Sequence, residues 1–372
     1  MTAALRPRDE ADLAEIIATT RGPLEPLAGG SKRAIGRPIE ARVLDLTDLN
    51  GIVCYEPDEL VLSARAATPL AEVERLLAGC GQRLAFEPPP LDALLGACAA
   101  ATLGGTLAAN ASGSRRFAAG AARDHFLGFR AVNGRGERFK AGGRVVKNVT
   151  GYDLPKLLAG SWGTLAVLTE VTVRVHAAPE CEHTLVLPAD DAERAAQIFT
   201  RVLALPCEVS GAAFEPGRGV CLRLEGFETS VLARSERLLD VLGRPDHDLV
   251  SGSDSGALWR QIAGAAAVAS APLVWRLSLP PADVSRVVRA LAPERYLIDW
   301  GGGLLWVGAA EADADTVRGA LKSGHATLIK APASVRAATA VFPPLPAALA
   351  LLAARLKAAF DPADRLNPGR MR

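Results

Sequence analysis

Apolar and polar positions change their period several times along the chain. At residues 10–20, Leu13, Ile16 and Ile17 share one helical face, and PLEPLAGG after them reads as a short strand entering a glycine turn. ARVLDLTDL at 41–49 alternates as a strand. ELVLSARAATPLAEVERLLAGCG at 59–81 passes from a strand into an amphipathic helix, with Val73, Leu76 and Leu77 on one face. Thr68-Pro69 suits the first turn of that helix and Gly79 or Gly81 its stop. In LGFRAVNGRGERFKA at 127–141, Asn133-Gly134 between two apolar runs predicts a hairpin. VLTEVTVRVH at 167–176 alternates as a long strand.

After His176 the texture changes. The strand-like runs HTLVLPA, GVCLRLEGF, LVWRLSLP and LLWVGAA are separated by alanine-rich helical runs such as DDAERAAQIFTRVLALP and PPADVSRVVRALAP. This predicts a β-α-β style second domain of hairpin strands and helices over 177–345, in an α+β chain. The glycines at 301–303 read as a hairpin turn between apolar strands. FPPLPAA reads as a linker into a last helix, ALALLAARLKAAFDP, so 346–372 forms a separate terminal segment.

A chain of 372 residues accommodates two or three domains and buries roughly three quarters of its unfolded surface. Forty-two basic against 41 acidic residues leave a net charge of +1, which argues against a nucleic-acid footprint. Six scattered cysteines lack the spacing of an iron–sulfur or zinc site and read as free thiols in a reducing cytosol. The N-terminus has no secretory pattern, so the expected location is cytoplasmic. An uncharged run at 93–114 has the length of a membrane span, but its glycines, alanines and Asn110 supply too little hydrophobic drive.

That run belongs instead to a set of small-residue loops. LAGGSKRAIG at 27–36, TLGGTLAANASG at 102–113 and GYDLPKLLAGSWGTLAVLTE at 151–170 together describe a site for one large nucleotide cofactor, with flavin the natural candidate. Residues without bulk at Cβ let a loop curl around a diphosphate with several N–H groups pointing inward. Gly29, Gly30, Gly104 and Gly105 supply that freedom, with Ser31, Thr102 and Thr106 as hydroxyl donors. Gly134-Arg135-Gly136 lacks the third glycine and following helix of a Rossmann site.

GGSKRAIG, TLGGTLAANASG, Gly120 with Arg123-Asp124, KNVTGYDLPKLLAGSWGTLAVLTEVTVRV and the terminal FDPADRLNPGRM resemble the FAD-binding domain of the vanillyl-alcohol-oxidase or PCMH type. The resemblance covers about 1–176 (lobes of about 1–50 and 51–176) and the end of the chain. It implies a two-lobed PCMH-type FAD-binding domain, a smaller α+β cap, and a C-terminal segment that returns to the FAD domain. WRLSLP, IDWGGGLLWV and GHATLIKAP are similar to the FAD-binding E subunits of bacterial glycolate oxidases, whose complex converts glycolate to glyoxylate. Carried onto this chain, the resemblance implies that Gly29, Gly30, Ser31, Lys32, Thr102, Gly104 and Gly105 cradle the diphosphate. Asn110, Ala111, Ser112 and Gly113 would follow the ribityl and ring side. Gly151, Tyr152, Asp153, Gly160, Thr164 and Val167 would enclose the adenine end or hold its loop, and Asn367 would return near the ring. Relatives that tether FAD do so through a histidine in the first loop. Ser31 and Lys32 stand there in this chain, which implies non-covalent FAD.

Oxidising a 2-hydroxy acid requires a flavin, a base for the hydroxyl proton and a cation for the carboxylate. His325 is the leading base candidate, against an ordinary packed or surface role. Tyr152 would serve as base only with a strongly lowered pKa, against a packing role. Arg276, in an apolar strand, holds either a substrate carboxylate or an internal salt bridge. Trp275, Trp300 and Trp306 form a flavin-facing wall, a core, or an interface. The five histidines show no ligand spacing and the GEHG-like motif of related dehydrogenases is absent, so no metal is expected. Three functions remain open. The first is an electron-handling or assembly FAD-binding subunit, partnered by a larger FAD subunit that bears the hydroxy-acid site and an iron–sulfur subunit that passes electrons on, at the inner membrane through that complex. The others are an autonomous hydroxy-acid or alcohol oxidoreductase and a flavin-free scaffold.

Overall fold

A computed structural model of the chain describes residues 4–97, 99–144, 151–311 and 313–371. Cys98 and the KNVT of the third motif lie outside the described residues. The first helix, Glu10–Thr19, begins where the Asp9 side chain accepts from the N–H groups of Ala11 and Asp12. The strands Leu24–Leu27 and Arg42–Asp45 pair in parallel. Beside them lies an antiparallel five-stranded sheet in the order Ile52–Glu56, Val61–Arg65, Ala166–Arg174, Phe126–Asn133, Arg138–Gly142. Asn133-Gly134 begins the hairpin connection between its last two strands, as the sequence predicts.

One predicted loop is different. Within TLGGTLAANASG, Leu103–Ala108 is helical, started by Thr102, whose Oγ1 accepts from Gly105 N at 3.2 Å. The glycines are there for close packing: a Cβ on Gly104 would fall 2.6 Å from the Cβ of Ala66 on the neighbouring segment. The predicted strand at 167–176 is also interrupted. Ala166–Arg174 belongs to the large sheet, while His176–Ala177 turns away to pair with Gln82–Arg83.

The second sheet has eight strands, in the order Asp248–Ser251, Cys181–Leu187, Gly219–Gly226, Gly211–Glu215, Arg295–Asp299, Leu304–Ala309, Leu273–Ser278, His325–Lys330, with every pairing antiparallel. Period-two alternation divides its residues. Leu222, Trp275, Leu277, Leu305 and Leu328 form a core with Phe199, Leu238 and Val287 of the helices Ala192–Leu203, Glu228–Leu242 and Val284–Leu291. Arg276, Trp306 and Thr327 point the other way, towards the glycine-loop half of the molecule. Near its end the chain runs beside the first strand: Leu24 N donates to Arg365 O at 2.7 Å and Asn367 N to Leu24 O at 2.9 Å. No helix among the described residues is long and apolar enough to cross a membrane.

Candidate functional site

Two adjoining cavities flank the glycine loops, and the second of them lies between those loops and the eight-stranded sheet. The first, a cleft of about 860 Å³ that opens to solvent, is lined by Gly29, Gly30, Ser31, Lys32, Thr102, Gly104, Gly105, Val167 and Asn367, among others. Gly30 has φ +76°, a left-handed conformation that glycine adopts without strain. Gly29 is required by proximity, since a Cβ there would meet the carbonyl oxygen of Ala100 at 1.7 Å. The lining contains no acidic residue. Lys32 Nζ lies 3.5 Å from the hydroxyls of Ser31 and Thr106 and has no ion-pair partner among the described residues. Burial draws its pKa down to about 8. Asn367 Nδ2 donates to Trp162 O at 2.8 Å, while its buried Oδ1 has no partner. An unpaired buried ammonium beside two small-residue loops fits the diphosphate of FAD.

The second cavity, about 1250 Å³, shares Lys32, Ala109 and Trp162 with the first. Asn110, Ala111, Ser112, Gly113 and Gly160 line it from one side, and Arg276, Ser278, Trp306, His325 and Thr327 from the other. Antiparallel register assembles the second group: Arg276 stands opposite both Trp306 and Thr327, and Ser278 opposite His325. The Arg276 guanidinium carbon lies 5.0 Å from the ring centre of Trp300 and 5.9 Å from that of Trp306, and no carboxylate pairs with it among the described residues. Burial, and then the charge of Arg116, bring its pKa down to about 10. Burial, then Arg276 and Arg116, hold His325 below its ordinary value, so the imidazole is neutral at pH 7.

The loop and the sheet meet at the turn after Asp299. Trp300 Nε1 donates to Gly113 O at 3.0 Å, and Ser114 Oγ donates to Asp299 Oδ2 at 2.7 Å. Trp300 and Gly301 both have left-handed φ, 55° and 61°, which turns the chain sharply before the next strand. A second tie is ionic. Buried Arg223 on the sheet reaches Glu87 Oε2 at 2.9 Å, and Glu225 pairs with Arg83 and Arg115. Its charges are paired across the contact, and removing Glu225 would leave Arg83 and Arg115 without an ion-pair partner among the described residues.

The remaining predicted residues lie elsewhere. Tyr152 is 90% exposed and lines neither cavity. Gly151 adjoins it with φ +86°. Asp153 starts the helix Leu154–Leu158 by accepting from Lys156 N, and Thr164 Oγ1 donates to Ser161 O at 2.6 Å within its own turn. The three tryptophans separate: Trp275 is buried under the helices, whereas Trp300 and Trp306 face the second cavity side. Sequence reasoning missed Arg116, Trp162 and Asp299 as cavity residues. The one local signal was the tryptophan before GGG at 301–303, because a polar–aromatic pair at a tight turn often makes a contact. Among the described residues, no cluster of three or more His, Cys, Asp or Glu side chains could hold a metal ion.

Comparison with known proteins places this geometry. The FAD binding domain family matches residues 1–142. Glycolate oxidase subunit GlcE of Escherichia coli is 36% identical over 94% of this chain and 92% of its own length. Glycolate oxidase subunit GlcD of Bacillus subtilis is 30% identical over 54% of this chain and 43% of its own. D-2-hydroxyglutarate dehydrogenase of Xanthomonas citri is 32% identical over 54% and 37% respectively. The solved structure of alkyldihydroxyacetonephosphate synthase covers 98% of this chain and 76% of its own at a TM-score of 0.67 and 16% identity, which shows a shared PCMH-type fold.

Proposed function

The chain belongs to the family of the FAD-binding E subunits of glycolate oxidase, and from that premise we propose that its own two cavities form a complete flavin and 2-hydroxy-acid site. The chain is an FAD-dependent oxidoreductase of the class acting on CH–OH groups, and it works as one subunit of an assembly. The reaction is glycolate to glyoxylate, with a larger FAD subunit and an iron–sulfur subunit as partners that carry electrons on towards the inner membrane. The observation that carries this reading is Arg276, a cation without a carboxylate partner among the described residues, facing the cavity that adjoins the glycine loops.

Gly29, Gly30, Ser31, Lys32, Thr102, Gly104, Gly105, Val167 and Asn367 would hold FAD along the first cavity, non-covalently, because no histidine lines it. Asn110 to Gly113 would face its ring side. Bound flavin supplies the two-electron acceptor. Arg276 binds the substrate carboxylate through charge-assisted hydrogen bonds. Neutral His325 accepts the hydroxyl proton, and Trp306 walls off water. The same reading divides the chain into an FAD-holding part, 1–176 with 346–372, and a cap, 177–345. Assembly is supported by the helix Ala347–Phe360, which buries none of its side chains and exposes Leu349, Leu351 and Leu352.

The test is anaerobic addition of glycolate to the purified chain, following its visible flavin spectrum. Bleaching is expected. A flavin that stays oxidised in the isolated chain and bleaches only with its partners present would move the hydroxy-acid site to another subunit.

A further inference from the structure

The second cavity holds more positive charge than one carboxylate requires. Arg116 approaches it from the helix Arg116–Ala119, on the glycine-loop side, and Arg276 from the eight-stranded sheet. Both guanidinium groups lie on the same indole: the Arg116 carbon is 4.8 Å from the Trp300 ring centre and the Arg276 carbon 5.0 Å. Arg116 is close enough to disfavour the charge of Arg276. Neither forms an ion pair among the described residues, and both are largely withdrawn from water.

Asp299 is the single acid in the lining, and both its oxygens are engaged. Oδ2 accepts from Ser114 Oγ and Oδ1 from Trp300 N, each at 2.7 Å. Asp299 partly offsets the charge of Arg276 and Asp124 that of Arg116, but neither carboxylate forms an ion pair with them among the described residues, and two like charges held together favour an anion that joins them. The spare guanidinium donors are arranged in planar forks, the geometry that matches carboxylates.

We propose that Arg116 and Arg276, seated on Trp300, form a paired site for an acid with two carboxylates, a small hydroxydicarboxylate. This rests on reading the second cavity as the hydroxy-acid site and extends its ligand class beyond glycolate. A monocarboxylate such as glycolate engages Arg276 alone. A second carboxylate on the same carbon skeleton reaches Arg116, which positions the acid from the opposite wall.

Tartronate is glycolate carrying one more carboxylate, so the pair isolates this contribution. Calorimetric titration of the FAD-loaded chain is expected to show tartronate binding at least roughly tenfold more tightly than glycolate, the scale of one charge-assisted contact. Arg116→Gln should abolish that preference, weakening tartronate about tenfold and glycolate less than about twofold. Arg116→Lys, which keeps the charge, should restore part of it, whereas Arg276→Gln should weaken both acids. Equal affinities in the unaltered chain, or an Arg116→Gln loss shared equally by the two acids, would overturn the proposal. A melting curve on each variant separates lost binding from lost folding. If the purified chain proves unable to take up FAD, the flavin reading fails instead. The same titration on the flavin-free chain then decides the paired site by the same two criteria.

Discussion

The two cavities lie side by side yet are built from different materials. The first is made largely of backbone and small residues: Gly29 and Gly104 are there because a Cβ would collide with Ala100 or Ala66, and of its lining cations Arg33 and Arg370 pair with Glu25 while Lys32 has no ion-pair partner among the described residues. The second is made of long side chains, Arg116, Arg276, His325 and Trp306, delivered from separate elements. A backbone cradle tolerates no added bulk and depends little on protonation beyond its one lysine. A side-chain site tolerates conservative changes in shape but responds to every change in charge.

The sharpest way to break the first cavity is Gly29→Val. The new side chain would drive the first loop off Ala100, and we expect the purified protein to lose its flavin colour, with a stability loss of about 1–3 kcal/mol in denaturant titration. Retention of FAD would mean that the loop yields easily. For the second cavity, His325→Asn should lower turnover by roughly 10²–10⁴-fold while leaving the flavin spectrum unchanged. The depressed His325 pKa also fixes a sign. The neutral ring is the working form, so activity in the unaltered protein should fall only as pH drops below the ordinary histidine range, and the variant should lack that acidic limb.

Lys32 offers a smaller effect of the opposite sense. Its ammonium must be charged to hold a diphosphate, and burial lowers its pKa to about 8. FAD binding measured above that pH should therefore take up a proton, and the dissociation constant should rise by up to about tenfold per pH unit. Calorimetry in buffers of different ionisation heat reads the proton directly, and Lys32→Gln should flatten the dependence. The smallest expected effect is at Tyr152, exposed and remote from both cavities, where Tyr152→Phe should change stability by less than about 0.5 kcal/mol and leave FAD binding as it was. A loss of flavin in that variant would extend the first cavity to the 151–153 turn.

The same contrast explains what could be read without coordinates. Small-residue loops are local: the first and second glycine segments stand out because a run such as TLGGTLAANASG serves little purpose in a core. Even there, the helix Leu103–Ala108 was hidden, since glycine opposes helix and only the Thr102 cap and packing on Ala66 sustain it. Arg276 was visible as a misfit in an apolar strand and His325 as a histidine in GHATLIKAP, but nothing local joined them. Arg116 carried no signal, being one of many arginines, and became a cavity residue only when the segment after Gly113 docked on Trp300.

From the sequence came the cofactor loops, which are short motifs of local backbone geometry, and, through their resemblance to a known family, the PCMH-type fold and the flavin. Tertiary structure alone decided which face of the eight-stranded sheet meets the glycine loops, and so separated buried Trp275 from its neighbour Arg276 at the cavity. The reason is physical. Alternation along a strand states that two faces exist, but antiparallel register and the docking of the two halves decide which neighbours share a face and where an unpaired charge can persist.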